Sequence, residues 1–251
     1  MDEPEASARE VPPWSIGRVV GYSLLVGVAF LATQTVVVVA AFALQLIEDR
    51  DLKPEEWAER VGSDGLTLSL ATLAVLLVCV PLVGFLVGRR EADPWVFLGL
   101  RPVATRTIWT WIGALAAFVV VSDSITIAIG RPVVPEFMAE AYSSAPPTLL
   151  FVALVFAAPV FEELFFRGFV PGALEASGVS AVAAAVVSSL AWSVIHMQYD
   201  WYGVVTIFLM GLLFAAARSK TRSLVPCVAM HAVANTIAFT EAVVSAGPAP
   251  S

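Results

Sequence analysis

Apolar residues in this chain form long unbroken runs separated by short polar stretches, unlike the alternation of a half-buried strand or the single stripe of a soluble helix. Runs of roughly membrane-spanning length occupy residues 16–47, 66–88, 107–130, 148–176, 179–196, 202–217 and 224–245. They predict an all-α fold: a polytopic membrane helical bundle of about seven transmembrane helices, since a helix satisfies its own backbone hydrogen bonds in lipid. Ala41-Phe42-Ala43 imitates a signal-peptidase site, but the first run exceeds the roughly 7 to 15 apolar residues of a signal peptide, so it reads as a retained helix. The run 202–217 has 16 residues, below the ~17 needed to cross, and follows the short connection HMQYD. The expectation is a hairpin tip around Met197 to Trp201 that stops below the outer surface and closes a cavity.

Composition strengthens the membrane reading: 59% of residues are hydrophobic and 14% charged, against about 25% charged in soluble domains. The net charge of −7 comes mostly from the first ten residues and from IEDRDLKPEEWAER; no basic surface for nucleic acid results. With the N-terminus inside, inner segments carry Arg9, Arg18, Arg89, Arg90, Arg101, Arg106, Arg218, Lys220 and Arg222, while outer loops carry Arg50, Lys53, Arg60 and Arg131. This asymmetry predicts N-in, C-out, and the expected location is the plasma (inner) membrane, as a multi-pass protein. Cys79 and Cys227 lie in apolar runs without metal or redox spacing and read as core residues. The expected division is an acidic tail over 1–15, two helices and an acidic loop over 16–96, a helical core over 97–245 and a tail over 246–251. The segments EADPWVFLGLRP and RPVVPEFMAEAYSSAPP read as surface connections.

Charge inside an apolar run marks a functional candidate, because it costs roughly 2.5 to 3.5 kcal/mol at the bilayer centre. Such a run holds Glu162, Glu163 and Arg167. Residues four apart share a helix face, so Glu163 can pair with Arg167, and Glu162 points about a quarter-turn away. The chain's two histidines, His196 and His231, and its one asparagine, Asn235, all fall in the last three runs. Trp192 precedes His196 by one turn, and His231 and Asn235 share a face. Singly these residues serve equally as ion-pair or packing groups; together they supply a base, an acid or metal ligand, and an amide donor. Asp123 reads as a side chain snorkelling to the outer interface. Asp200 either orients His196 or belongs to the hairpin tip.

In order, EExxxR, aromatic-xxx-His and HxxxN resemble the CAAX protease and bacteriocin-processing superfamily of intramembrane proteases, which includes the type II CAAX prenyl endopeptidases. FLGLRP at Phe97 to Pro102 resembles a segment that precedes the core of that family, and the resemblance covers roughly residues 97–240. Trp192 stands where the family usually has Phe. The resemblance implies an endopeptidase acting on a membrane-attached or hydrophobic polypeptide. Glu162 would activate water beside His196, His231 and Asn235 would stabilise the oxyanion, and Glu163 with Arg167 would hold the helix. A metalloprotease alternative also stands, in which Glu162, His196 and His231 form a His₂Glu set for a divalent metal such as Zn, although no HExxH pair is present. Two other functions remain alongside. One is a non-catalytic immunity or scaffold protein of the same fold, and the other a proton-relaying transporter, for which paired broken helices are absent from the sequence.

Overall fold

The computed structural model describes residues 14–50, 53–91 and 93–246. The tail assignments over 1–15 and 246–251 therefore lie outside the described residues, apart from positions 14, 15 and 246. Among the described residues the chain is helical without strands. Six helices are long and apolar enough to cross a membrane: α1 (Ile16–Glu48), α3 (Gly65–Gly88), α5 (Thr105–Ala128), α7 (Pro147–Ala176), α9 (Trp201–Thr221) and α10 (Val225–Ala246). A shorter apolar helix, α8 (Ala181–Val194), makes the seventh member of the bundle. Short helices α2 (Pro54–Val61), α4 (Pro94–Leu98) and α6 (Glu136–Ser143) lie in the connections.

The shortfall in span length falls one helix earlier than the hydropathy pattern predicts. α9 has 21 residues, because Arg218 to Thr221 continue the helix past the apolar run. α8 has only 14, which at 1.5 Å per residue rises about 21 Å against a hydrocarbon core of about 30 Å. Ile195 to Tyr199 then form turns and a bend before Asp200 caps α9 through Gly203 N at 2.9 Å. Arg131 pairs with Asp200 and lies over the rings of Trp201 and Tyr202, at 5.6 and 5.1 Å from their centroids, tying the tip to the end of α5. The Gly203 amide and Arg131 hold the Asp200 carboxyl below the usual carboxylate range. Asp200 therefore caps a helix and does not orient His196.

α7 is the hub of the bundle. Over its most apolar window 56% of residues are buried, against 6% to 33% for the other spans, and it packs on α3, α8 and α10. It is not a uniform α-helix: Val152–Ala157 and Leu164–Phe169 are π-helical. The prolines supply the physical reason. Ala158 N donates to Ala153 O, and Val170 N to Phe165 O, each five residues back. The next position in each register is Pro159 or Pro171, which has no N–H to give. The carbonyls of Leu154 and Phe166 are thereby left without a helical donor, and each receives one from a neighbouring helix: Asn235 Nδ2 donates to Leu154 O at 2.6 Å, and Ser188 Oγ donates to Phe166 O.

The FLGLRP segment clasps the start of α10. Leu98 is fully buried, Gly99 ends α4 at φ 85°, Gly99 O accepts from Leu224 N at 2.8 Å, and Arg101 O accepts from Ser223 Oγ. Cys79 and Cys227 are free and buried.

Candidate active site

The polar residues of α7, of the turn after α8 and of α10 meet within the bundle. Glu163 and Arg167 are 0% and 1% exposed, and Arg167 Nε lies 3.4 Å from Glu163 Oε2. That separation gives Coulomb attraction but not an aligned hydrogen bond, so both atoms lack a hydrogen-bond partner among the described residues. The Arg167 guanidinium is stabilised in other ways. Its Cζ sits 4.3 Å from the Trp192 ring centroid and 5.5 Å from that of Phe214, and Nη2 reaches Gly211 O at 3.4 Å. Gly211 makes this approach possible, since a Cβ there would stand 3.0 Å from Nη2 and 3.1 Å from Trp192 Cε3.

Both imidazoles are oriented through Nδ1. His231 Nδ1 lies 2.8 Å from Glu163 Oε1, and His196 Nδ1 lies 2.8 Å from the Trp192 carbonyl. Carboxylate and carbonyl oxygens only accept, so the proton is on Nδ1 in each ring and Nε2 is left for other contacts. Each Nε2 lies 3.9 Å from the same atom, Glu162 Oε2. Trp192 packs edge-on to both rings, with centroids 5.2 and 5.4 Å away, and its indole Nε1 donates to Glu162 Oε2 at 2.6 Å. One residue thus lies against Arg167 and holds Glu162 through its indole, and supplies the acceptor for His196 through its backbone carbonyl. The substitution of Trp for Phe adds a donor to the carboxylate that a phenyl ring does not have.

Two placements differ from the sequence reading. Glu163 binds His231 as well as Arg167, a contact 68 residues apart in sequence that helical spacing does not encode. Asn235 shares the α10 face with His231, yet its amide donates to the Leu154 carbonyl. Tyr199 is a further site residue without a sequence signal beyond its place in the hairpin. Its ring lies 6.3 Å from that of His196 and 5.0 Å from that of Phe137. Burial, with the Glu162 charge adding, pushes its phenol up to about 12, so it is a neutral O–H donor at the site.

A resident metal fits poorly. Ligand atoms of a tetrahedral zinc bound at 2.0–2.1 Å are about 3.3 Å apart, whereas Glu162 Oε2 is 3.9 Å from each Nε2 and already accepts the Trp192 N–H. Among the described residues no group of three or more His, Cys, Asp or Glu is arranged to hold a metal ion. The metalloprotease alternative therefore finds no support in this geometry.

Residues 144–237, which contain all six of Glu162, Glu163, Arg167, His196, His231 and Asn235, match the family described as Type II CAAX prenyl endopeptidase Rce1-like. An Escherichia coli protein, described as an uncharacterized 24.3 kDa protein, is 30% identical over 182 residues, covering 70% of this chain and 80% of its own. No solved structure matches. Across matched segment, relative and all-helical membrane architecture, the chain belongs to the Rce1-like type II CAAX prenyl endopeptidase family, a family of membrane proteases.

Proposed function

We propose that the protein is an intramembrane endopeptidase that hydrolyses a peptide bond in a membrane-attached or hydrophobic polypeptide, using water activated by Glu162. The observation that carries this reading is the pair of 3.9 Å distances from Glu162 Oε2 to the Nε2 atoms of His196 and His231. They are too long for direct hydrogen bonds and suited to one water between the groups.

The protons can be followed through the reaction. Glu162 Oε2 accepts one hydrogen of the water and His196 Nε2, bare because Nδ1 is bonded to Trp192 O, accepts the other. His231 already donates Nδ1–H to Glu163, so a proton on Nε2 makes it a cation between two carboxylates. Glu162, Glu163, Arg167 and this imidazolium then sum to zero charge, which a low-dielectric interior favours. Glu162 takes a proton as the water oxygen attacks the carbonyl carbon. The oxyanion that forms accepts from His231 Nε2–H, with the Tyr199 phenol as a second donor, an arrangement commonly worth several kcal/mol. The C–N bond breaks as Glu162 returns its proton to the leaving amine.

The purified chain and its Glu162→Gln variant, each incubated with a membrane proteome, provide the test, with new C-termini read by mass spectrometry. New termini with the native chain, reduced at least about 10³-fold by the variant, are expected. Equal yields from the two would defeat the reading.

A further inference from the structure

A cavity of about 720 Å³ lies apart from the site just described. It shares only Arg167 with it and opens at the end of the bundle where α4, α7, α8 and α9 meet. This is the end at which the sequence gathers its inner-side cations.

Besides the shared Arg167, three arginines line this cavity: Arg101, Arg218 and Arg222. Arg218 is fixed. Its Nε donates to Arg167 O at 3.2 Å, and its guanidinium lies against Gly99, where a Cβ would stand 2.7 Å from Cζ. Arg101 and Arg222 are exposed and close enough to oppose the Arg218 charge, and among the described residues neither side chain has a hydrogen-bond acceptor or ion-pair partner. The acidic residues of the cavity are already engaged, Glu91 and Asp93 outside it and Glu175 within it. Glu91 accepts from Trp14 Nε1 at 2.6 Å, Asp93 caps α4 through Trp95 N and Val96 N, and Glu175 acts on Arg218. Arg222 also holds a left-handed conformation, φ 53°, at a helix end where Gly or Asn is the unstrained choice.

A preference for cations on the inner side explains arginines at this end, but not their convergence on one cavity beside apolar walls. Val96, Phe97 and Phe166 line it, and Val96 is 42% exposed. Unpaired guanidinium groups match a phosphate oxygen cluster, and the apolar border matches acyl chain.

We propose that this cavity binds a phosphate-bearing ligand of the inner membrane interface, with Arg101 and Arg222 as the clamp and Arg218 as its base. Phosphate oxygens there come from a phospholipid headgroup or from a free phosphate ester. The experiment uses the purified full chain in neutral detergent and follows thermal unfolding during titration with phosphatidylglycerol, phosphatidylcholine or inorganic phosphate. The Arg101→Gln/Arg222→Asn variant keeps a residue that tolerates the left-handed position. Arg106→Gln, an exposed cation at the start of α5 outside the cavity, is the control for general surface charge.

A saturable rise in Tm with phosphate-bearing ligand, weakened at least about tenfold in apparent affinity by the double variant and unchanged in the control, is expected. A response to phospholipid alone identifies the source as a headgroup, and an equal response to inorganic phosphate identifies a free ester. No saturable response from any probe overturns the proposal. So does a double variant that titrates like the native chain, or a control that loses as much as the double variant. If the double variant does not fold, Arg101→Gln alone, which leaves the α9 end untouched, is read against the same outcomes.

Discussion

Trp192 touches more of the site than any other side chain. Its indole lies under the Arg167 guanidinium, its N–H holds Glu162, and its carbonyl fixes the His196 tautomer. The backbone carbonyl survives substitution and the N–H does not. A hydrogen bond to a charged group contributes roughly 1.5–3 kcal/mol, so Trp192→Phe should lower kcat by about 10- to 100-fold with KM within about threefold, measured on any cleaved peptide. An unchanged kcat would mean that the indole N–H does not position Glu162. At this scale the sequence was informative about identity and silent about pairing. The apolar runs made Glu162, Glu163, Arg167, His196, His231 and Asn235 conspicuous. The Glu163–His231 and Trp192–Glu162 bonds join residues 68 and 30 positions apart, and no local spacing encodes such contacts.

At the scale of the element, α7 departs from what periodicity predicts. Hydropathy runs report that a helix is buried, but not whether its hydrogen bonds close four or five residues back. The legible signal was Pro159 and Pro171, each two residues past the end of a π segment. Their missing N–H groups give Asn235 and Ser188 a structural task, and this separates two roles for Asn235. If Asn235 serves chiefly to satisfy the Leu154 carbonyl, Asn235→Ala costs about 1–3 kcal/mol of stability, and Pro159→Ala, which restores a backbone donor, recovers most of the loss. If it donates instead to an oxyanion, the second substitution leaves activity low. Thermal unfolding and cleavage rates of the two single variants and the double variant decide between these outcomes.

For the whole molecule, the seven-member bundle was readable from apolar run lengths, while the identity of its short member was not. Arg218 to Thr221 are polar yet helical, so composition truncates α9 on paper and flatters α8. We infer an N-in orientation from the cation asymmetry and a tip at Ile195 to Tyr199 that lies below the outer surface, because α8 is too short to reach it. A membrane-impermeant thiol reagent applied from outside should label a cysteine at Gln198 at least about tenfold more slowly than one at Arg60 in the first outer loop. Equal labelling would place the tip in bulk water.

The central claim is that Glu162 of α7, His196 of the turn after α8 and His231 of α10 act on one water. It is tested most directly by peptide-cleavage rates for the native chain, Glu162→Gln, His196→Ala, His231→Ala and the triple variant, all in the same lipid. Groups that act as a unit are non-additive. Each single substitution should therefore lower kcat at least about 10³-fold, and the triple variant should fall no more than about tenfold further. Losses that multiply across the three positions, or a Glu162→Gln enzyme that still turns over, would contradict the account.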